Sequence, residues 1–568
     1  MMKYYVSFFL VCFIFNTSIA QINFQDEAVA LGVGIATGSP IMGNGLSLVD
    51  FNGDGFDDIT LATENGQELR FFVNTNGSFT EQILNIPSFN YQTKSVNWVD
   101  IDNDGDKDFF VTSDTNGNRL YENMGNLIFQ DITTVSGIND ANMYSYGASW
   151  GDYNNDGYLD VFISNRSEAI ANILYHNNGD NTFTNVSVLA GISNLGHMSF
   201  CSVFFDYNND GWQDLYISND KTNYANILYR NNGDNTFTDE SESSLTNVSI
   251  DAMTTTVGDY NNDGWFDIYV TNGPSGNVLF RNEGDGTFYN ATQQSGTSFN
   301  SFGWGAVFLD AENDTDLDLY VSGQLDGSIP SFVSAAFYEN LGNTTFNSSN
   351  TSGFNGDNNE SYSNAVSDLN NDGLIDIVVN NGGDDLLSVW ENQSVTTNNW
   401  LKVNLEGVVS NRDGIGSKIE ISINGNKQYR YTHAGEGYLS QNSTTTSFGV
   451  GDATVVDYIK VTWLSGVEDV INNVTTNQIL QIVEGSNSLS LHDNYVDTIY
   501  LKNNPVNSVI NVVSTLPVLK LELFSLLGQK ILIKYNSDQL NVSQFQSGHY
   551  LLYIQTIRGV SVKKVVIE

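Results

Sequence analysis

Asp152-Tyr153-Asn154-Asn155-Asp156-Gly157-Tyr158-Leu159-Asp160 places oxygen-bearing side chains at positions 1, 3, 5 and 9 of a nine-residue stretch, with glycine at position 6. Six more copies begin at Asp50, Asp100, Asp206, Asp259, Asp310 and Asp368, so that successive copies lie 50, 52, 54, 53, 51 and 58 residues apart. A period of this length held over seven copies marks a repeat architecture. Positions 1, 5 and 9 are Asp in all seven copies, position 3 is Asn, Asp or Glu, and position 6 is Gly in six.

Alternating oxygen ligands followed by a sharp glycine turn suit a hard cation such as Ca²⁺. The candidate ligands are Asp50, Asn52, Asp54 and Asp58 in loop one, and Asp100, Asp102, Asp104 and Asp108 in loop two. Asp152, Asn154, Asp156 and Asp160 follow in loop three, then Asp206, Asn208, Asp210 and Asp214 in loop four. Loop five offers Asp259, Asn261, Asp263 and Asp267, loop six Asp310, Glu312, Asp314 and Asp318, and loop seven Asp368, Asn370, Asp372 and Asp376. An EF-hand is excluded, because it needs a bidentate Glu at position 12 between helices. Here position 12 is Leu61, Val111, Ile163, Ile217, Val270, Val321 and Val379, and strand-like sequence flanks the loops. The loops hold 26 of the chain's 66 carboxylates, a density that is repulsive unless a cation neutralises it. Up to seven Ca²⁺ sites are expected, the sixth the weakest, since Glu312 replaces a short side chain and Thr315 replaces glycine.

Working outward, each loop is followed by a pattern such as Ile227-Leu228-Tyr229-Arg230-Asn231, a turn Asn232-Gly233-Asp234-Asn235, and Phe237-Thr238-Asp239. With the two strands around the loop, each unit supplies four antiparallel strands, one blade of a propeller. Phe-led outer strands occur at Phe24, Phe79, Phe129, Phe183, Phe237, Phe288 and Phe346, and the strands before them near Phe72, Tyr121, Tyr175, Tyr229, Phe280, Tyr338 and Trp390. The first outer strand is left over and the last blade lacks one, so Phe24 is expected to join the blade of Trp390. The expectation is an all-β chain, a seven-bladed β-propeller over 21–396 followed by two small β domains.

These loops, with the Leu-Tyr-x-Asn-x-Gly-x-x-x-Phe signatures, resemble FG-GAP/VCBS repeats, the calcium-bearing blades also seen in integrin α-subunit heads. Trp400 to Gly407, Ser410-Asn411-Arg412-Asp413-Gly414-Ile415-Gly416, Gly435-Glu436-Gly437-Tyr438-Leu439-Ser440-Gln441 and Phe448-Gly449-Val450-Gly451 resemble the ASPIC/UnbV domain, as in cartilage acidic protein, over 397–485. That resemblance brings no established chemistry, and Arg412 and Asp413, read as exposed, are as apt to fix a turn as to bind anything. A linker over 486–498 precedes residues 499–568, where Leu521 to Lys530, Ser547 to Tyr553 and the ending Lys563-Lys564-Val565 suggest a short β-sandwich. This segment resembles the C-terminal sorting domain of the type IX secretion system of Bacteroidetes, which implies passage across the outer membrane through that machinery.

At the other end, Lys3, an apolar run from Tyr4 to Phe15 and small residues up to Ala20 have the parts of a signal peptide over 1–20, cleaved near Ala20. No segment is long enough for a transmembrane helix. The 568 residues carry 22 basic against 66 acidic groups, a charge of −44, which excludes nucleic acid as a partner. Cys12 and Cys201 are the only cysteines, and Cys12 leaves with the signal, so the exported chain has no internal disulfide.

Gly147-Ala148-Ser149-Trp150-Gly151 matches a nucleophile elbow, but Ser149 occupies a strand position that the other copies fill with Ser47, Asn97, Val203, Thr256, Val307 and Ala365. His176, His197, His433, His492 and His549 are scattered, without zinc spacing. The reading that results is a secreted or cell-surface calcium-binding adhesion protein without catalysis, whose partner is an extracellular glycan or surface protein. The alternative is an exported polysaccharide lyase or hydrolase built on the propeller.

Overall fold

The computed structural model describes residues 21–86, 91–324, 332–349, 351–487 and 500–567, apart from 503, 515–516, 526–529 and 557–558. The chain divides into two compact units, Met1–Ser488 and Leu489–Glu568. The proposed leader lies outside the described residues.

The first unit contains seven blade sheets of four antiparallel strands each, the first extended by a fifth, parallel strand and the seventh completed by the first strand of the chain. Blade four is typical: Ser199–Phe205, Asp214–Asn219, Ile227–Asn231 and Phe237–Asp239 pair in chain order. Its two inner strands are buried along their whole length, and the last keeps only Phe237 inside. Strands covered on both faces read as continuous apolar or small-residue runs, and the outermost ones as a single buried aromatic followed by polar residues.

The strand left over at the N-terminus pairs as the inventory requires. Phe24–Asp26 is antiparallel to Ser388–Asn392, with Phe24 opposite Asn392 and Asp26 opposite Trp390. Leu46, Leu48 and Ile59 of the first blade share an apolar cluster with Ala365, Val378 and Val389 of the seventh.

Residues 399–483 form two sheets: Thr446–Gly451, Asn399–Glu406 and Ile479–Val483, then Asn426–Tyr431, Lys418–Ile423, Val455–Thr462 and Glu468–Thr475. They enclose their own core, including Leu401, Ile419, Ile459 and Trp463, yet belong to the same compact unit as the blades. We call them the cap. The second unit has a three-stranded and a four-stranded sheet around Ile510, Leu521, Leu523, Leu552 and Val565. Among the described residues no helix is long and apolar enough to cross a membrane.

Candidate metal loops and their cap

The seven loops repeat one hydrogen-bonding scheme, clearest in loop four. Asp206 accepts the amides of Asp210 at 3.1 Å and Gly211 at 2.8 Å, while Asp210 Oδ1 accepts that of Trp212 at 3.0 Å. Asp214 accepts the Tyr207 amide at 3.1 Å and the Asn231 amide, from the third strand, at 2.7 Å. These bonds fix the direction of each carboxylate and leave further lone pairs for an ion. The same bonds tie positions 1, 5 and 9 of every loop into one turn.

Burial makes these carboxylates costly on their own. Desolvation pushes Asp58, Asp108 and Asp152 up to about 8 and Asp160 up to about 7, and raises Asp214, Asp267 and Asp376 well above the usual carboxylate range. Two loops converge furthest. Carboxylate oxygens of Asp100, Asp102 and Asp108, and of Asp310, Glu312 and Asp314, lie within 4.8 Å of one another. Glu312, placed last by sequence, points inward: it is 5% exposed and its Oε2 is buried without a hydrogen-bond partner. The longer side chain reaches the cluster that a short one forms elsewhere. Thr315 does sit at a positive φ of 92°, the strain expected of a β-branched residue replacing glycine. An all-oxygen, carboxylate-rich donor set with an orphaned acceptor fits Ca²⁺.

Two sets of asparagines, not assigned a role from sequence, stitch the blades together. At position 4, Asn103, Asn155, Asn209, Asn262, Asn313 and Asn371 have φ between 55° and 62°. Each donates Nδ2 to the position-6 carbonyl of the next loop, Asn103 to Gly157 at 2.9 Å, Asn313 to Gly373 at 2.9 Å and Asn371 back to Gly55 at 3.1 Å among them. The Asn of the Leu-Tyr-x-Asn signature reaches the other way: Asn231 Nδ2 bonds Tyr153 O at 2.7 Å, and Asn74 Nδ2 bonds Leu369 O at 2.8 Å. Six position-4 asparagines in register were visible in the sequence, as was the exception, Gly53. They could have been found by asking what a left-handed amide does in a turn that glycine could fill.

The cap sits on this loop face. Lys402 Nζ bonds Asp368 Oδ2 at 2.7 Å and Asn371 Oδ1 at 2.6 Å. Lys418 bonds Asn209 Oδ1 and Gly264 O, both at 2.8 Å. The pair read from sequence as an exposed turn is a seat instead: the Arg412 amide donates to Asn103 Oδ1, while Asp413 accepts the Asp100 amide at 3.0 Å and pairs with Lys107. At loop seven a Cβ on Gly373 would fall 1.9 Å from Trp400 Nε1, so the turn glycine is also the cap's footprint.

From the cap, residues 434–442 run down between the inner strands. Ala434 O accepts Trp150 N at 2.8 Å, and Gly437 N donates to Thr255 O at 3.2 Å. Ser440–Gln441 adds a parallel strand to Leu46–Val49, Gln441 brackets both backbone groups of Trp98, and Asn442 accepts Val366 N. Tyr438 ends among Phe200 and Trp304 and donates to Met42 O at 2.7 Å. The Gly-Glu-Gly-Tyr-Leu-Ser-Gln string is thus a plug touching blades on every side. Ser149 is 2% exposed within a strand covered on both faces, away from any nucleophile elbow. Cys201 is a buried free thiol, raised to about 12 by desolvation, as a core residue would be.

Family models match three stretches of the chain. An FG-GAP-like repeat model matches residues 50–111, 100–163, 152–217, 206–270 and 259–321, each match running from one loop into the next. The chain carries FG-GAP-like repeats. The same comparison matches an ASPIC and UnbV model to 407–489, the cap and its plug, and a secretion system C-terminal sorting domain to 503–568, the second unit. Cartilage acidic protein 1 of Xenopus tropicalis is 22% identical over 457 residues, which is 74% of this chain and 61% of that protein, so the chain spans less than two thirds of its relative. The extracellular domain of a hybrid two-component system from B. thetaiotaomicron aligns over 95% of this chain and 65% of its own at 13% identity, with a TM-score of 0.41. The FG-GAP-like blades are therefore joined to a domain that implies dealings with a secretion machinery and export to the outer surface or beyond.

Proposed function

We propose that the mature chain is a calcium-loaded adhesion or ligand-binding protein, without catalytic activity, that works outside the cell. What carries the reading is the buried ring of carboxylate loops under a cap that itself grips the loops through Lys402, Lys418 and Asp413. The side chains at positions 1, 3, 5 and 9 would hold one Ca²⁺ per loop, and the ion would supply charge neutralisation that the hydrogen bonds alone do not. In this reading residues 1–20 are a leader removed near Ala20, 21–396 the propeller, 397–485 the cap, 486–498 a linker, and 499–568 the part handed to the type IX machinery. The partner is a surface glycan or protein. An array of extracellular glycans and surface proteins, probed with and without calcium, tests it: calcium-dependent capture is expected, and turnover of any glycan by the purified chain overturns the non-enzymatic reading.

A further inference from the structure

We propose that the cavity between the loop face and the cap binds a small neutral carbohydrate, one or two sugar rings in size. This deepens the adhesion reading and rests on it for biological purpose, though its measurement is separate.

The cavity measures about 360 Å³, within the roughly 300–1,000 Å³ typical of small-molecule sites. Its floor includes Asp50, Asp310 and Asp368, whose oxygens are engaged by their own loop amides, and in Asp368 also by Lys402. Two charged side chains on the cap side keep unused capacity. Arg430 donates only to Tyr429 O at 3.0 Å and Gln428 Oε1 at 3.5 Å, lies 5.0 Å from the Phe448 ring, and among the described residues enters no ion pair. A guanidinium has five N–H donors, so most remain available. Glu436 is 8% exposed; its Oε1 accepts Asn442 Nδ2 at 2.5 Å, and its Oε2 is buried without a partner. Such an orphaned acceptor costs free energy until something donates to it.

Arg430 and Glu436 both line the cavity, and desolvation raises Glu436 to about 7, so the pair offers donors and an acceptor without a fixed net charge. The wall also carries Ser443-Thr444-Thr445-Thr446-Ser447, five consecutive hydroxyl-bearing residues. Sugar hydroxyls donate and accept at once, which suits a wall of that kind. Phe308, half-buried on the wall, adds an apolar face for the C–H side of a sugar ring. A free amino acid would pair with Arg430 and Glu436 but leave the hydroxyl wall unmatched.

Isothermal titration of the full chain in calcium decides this, with glucose, galactose, mannose, N-acetylglucosamine, xylose and lactose as neutral probes. Glucuronate and leucine serve as the acidic and zwitterionic ones. At least one neutral sugar is expected to bind with a Kd of about 10⁻⁵–10⁻³ M. Glu436→Gln and Arg430→Lys should each weaken it roughly tenfold or more, and Asn404→Ala, at the half-buried rim, should weaken it less. Melting curves report whether each variant folds; if Arg430→Lys does not, the other two carry the test. No heat from any neutral sugar, a preference for glucuronate or leucine, or affinity indifferent to the folded variants would each overturn the proposal. A negative array with positive titration removes the adhesion reading alone, and the converse removes only this site.

Discussion

The two units of the chain solve the stability problem with opposite chemistry. In the second unit the buried set is aliphatic, Ile510, Leu521, Leu523, Leu540, Leu552, Ile554 and Val565, and its buried acid, Glu522, is paired with Lys520 and Lys530. In the first, every blade buries aspartates and asparagines beside its apolar residues, and burial raises carboxylates in every one of the seven loops. Buried charge is tolerable only when paired or coordinated. Under the proposed function, the first unit would depend on an ion and the second chiefly on apolar area.

Chelation is the harshest way to break that comparison. At calcium roughly tenfold above a Kd of about 10⁻⁴–10⁻³ M, each site contributes about 1.4 kcal/mol, so six or seven sites add roughly 8–10 kcal/mol. Calorimetry should then show two transitions, of which chelator moves only the one belonging to the blades and cap. An unchanged pair of transitions would leave the loops as ordinary turns. Asp210→Ala should reproduce a fraction of the loss. Sequence ranks Asp314 below it, but the convergence of Asp310, Glu312 and Asp314 ranks loop six beside loop two, so Asp314→Ala should cost at least as much.

The reverse experiment attacks the second unit. Leu523→Ala removes a fully buried side chain and should cost about 2–5 kcal/mol, confined to the calcium-insensitive transition. A shift in the calcium-sensitive transition instead would mean that the two units do not melt independently.

Between these sits the plug. Gln441 accepts from Trp98 N at 2.7 Å and Ser47 Oγ at 3.1 Å and donates to Trp98 O at 2.8 Å, all buried. Gln441→Ala strands those groups, and about 1–3 kcal/mol should leave the first transition. Proteolysis near 434–442 should quicken as well; a variant as resistant as the parent would show the plug to be passive filling.

How much of this was legible in the sequence follows from what a linear pattern can carry. The blades were legible because each repeats its own punctuation, and the pairing of Phe24 with the last blade followed from one surplus and one missing strand. The alternation of acidic and amide side chains in each loop was legible because a pattern within nine residues is local. The cap's seat was not. Lys402, Asp413 and Gln441 meet partners up to 394 positions away, and nothing in their neighbours announces it. Nor was the place of Glu312 legible, because side-chain length does not say where the backbone of loop six sets its carboxylate against Asp310 and Asp314.

A subtler test uses pH. His433 Nδ1 donates to Phe204 O at 3.2 Å, which leaves Nε2 bare, and burial lowers the ring from 6.5 to about 4. A depressed histidine holds its stability contribution above the unfolded value and loses it as pH falls from about 6.5 towards 4. In saturating calcium the parent should lose more melting temperature over that window than His433→Gln does. Parallel losses would remove His433 from the account.

The smallest effect is the sharpest, because it asks whether the asparagine clasp is a device or a by-product of the turn. Loop one carries Gly53 where loops two to seven carry asparagine, and it alone lacks the position-4 amide that bonds the next loop. Gly53 sits at φ 76°, close to the 55–62° of the asparagines, and a Cβ there meets nothing within 4 Å. Asparagine is the residue that tolerates this region best after glycine. Gly53→Asn should therefore fit, supply the missing bond to loop two at Gly105 O, and restrict the unfolded chain. Together these should raise stability by about 0.5–1 kcal/mol. Asn155→Ala, which cuts the link from the third loop to the fourth, should cost about 1 kcal/mol through the same measurement. The two changes must move the calcium-sensitive transition in opposite directions. If both lower it, the left-handed turn alone matters and the amide-to-carbonyl clasp contributes nothing.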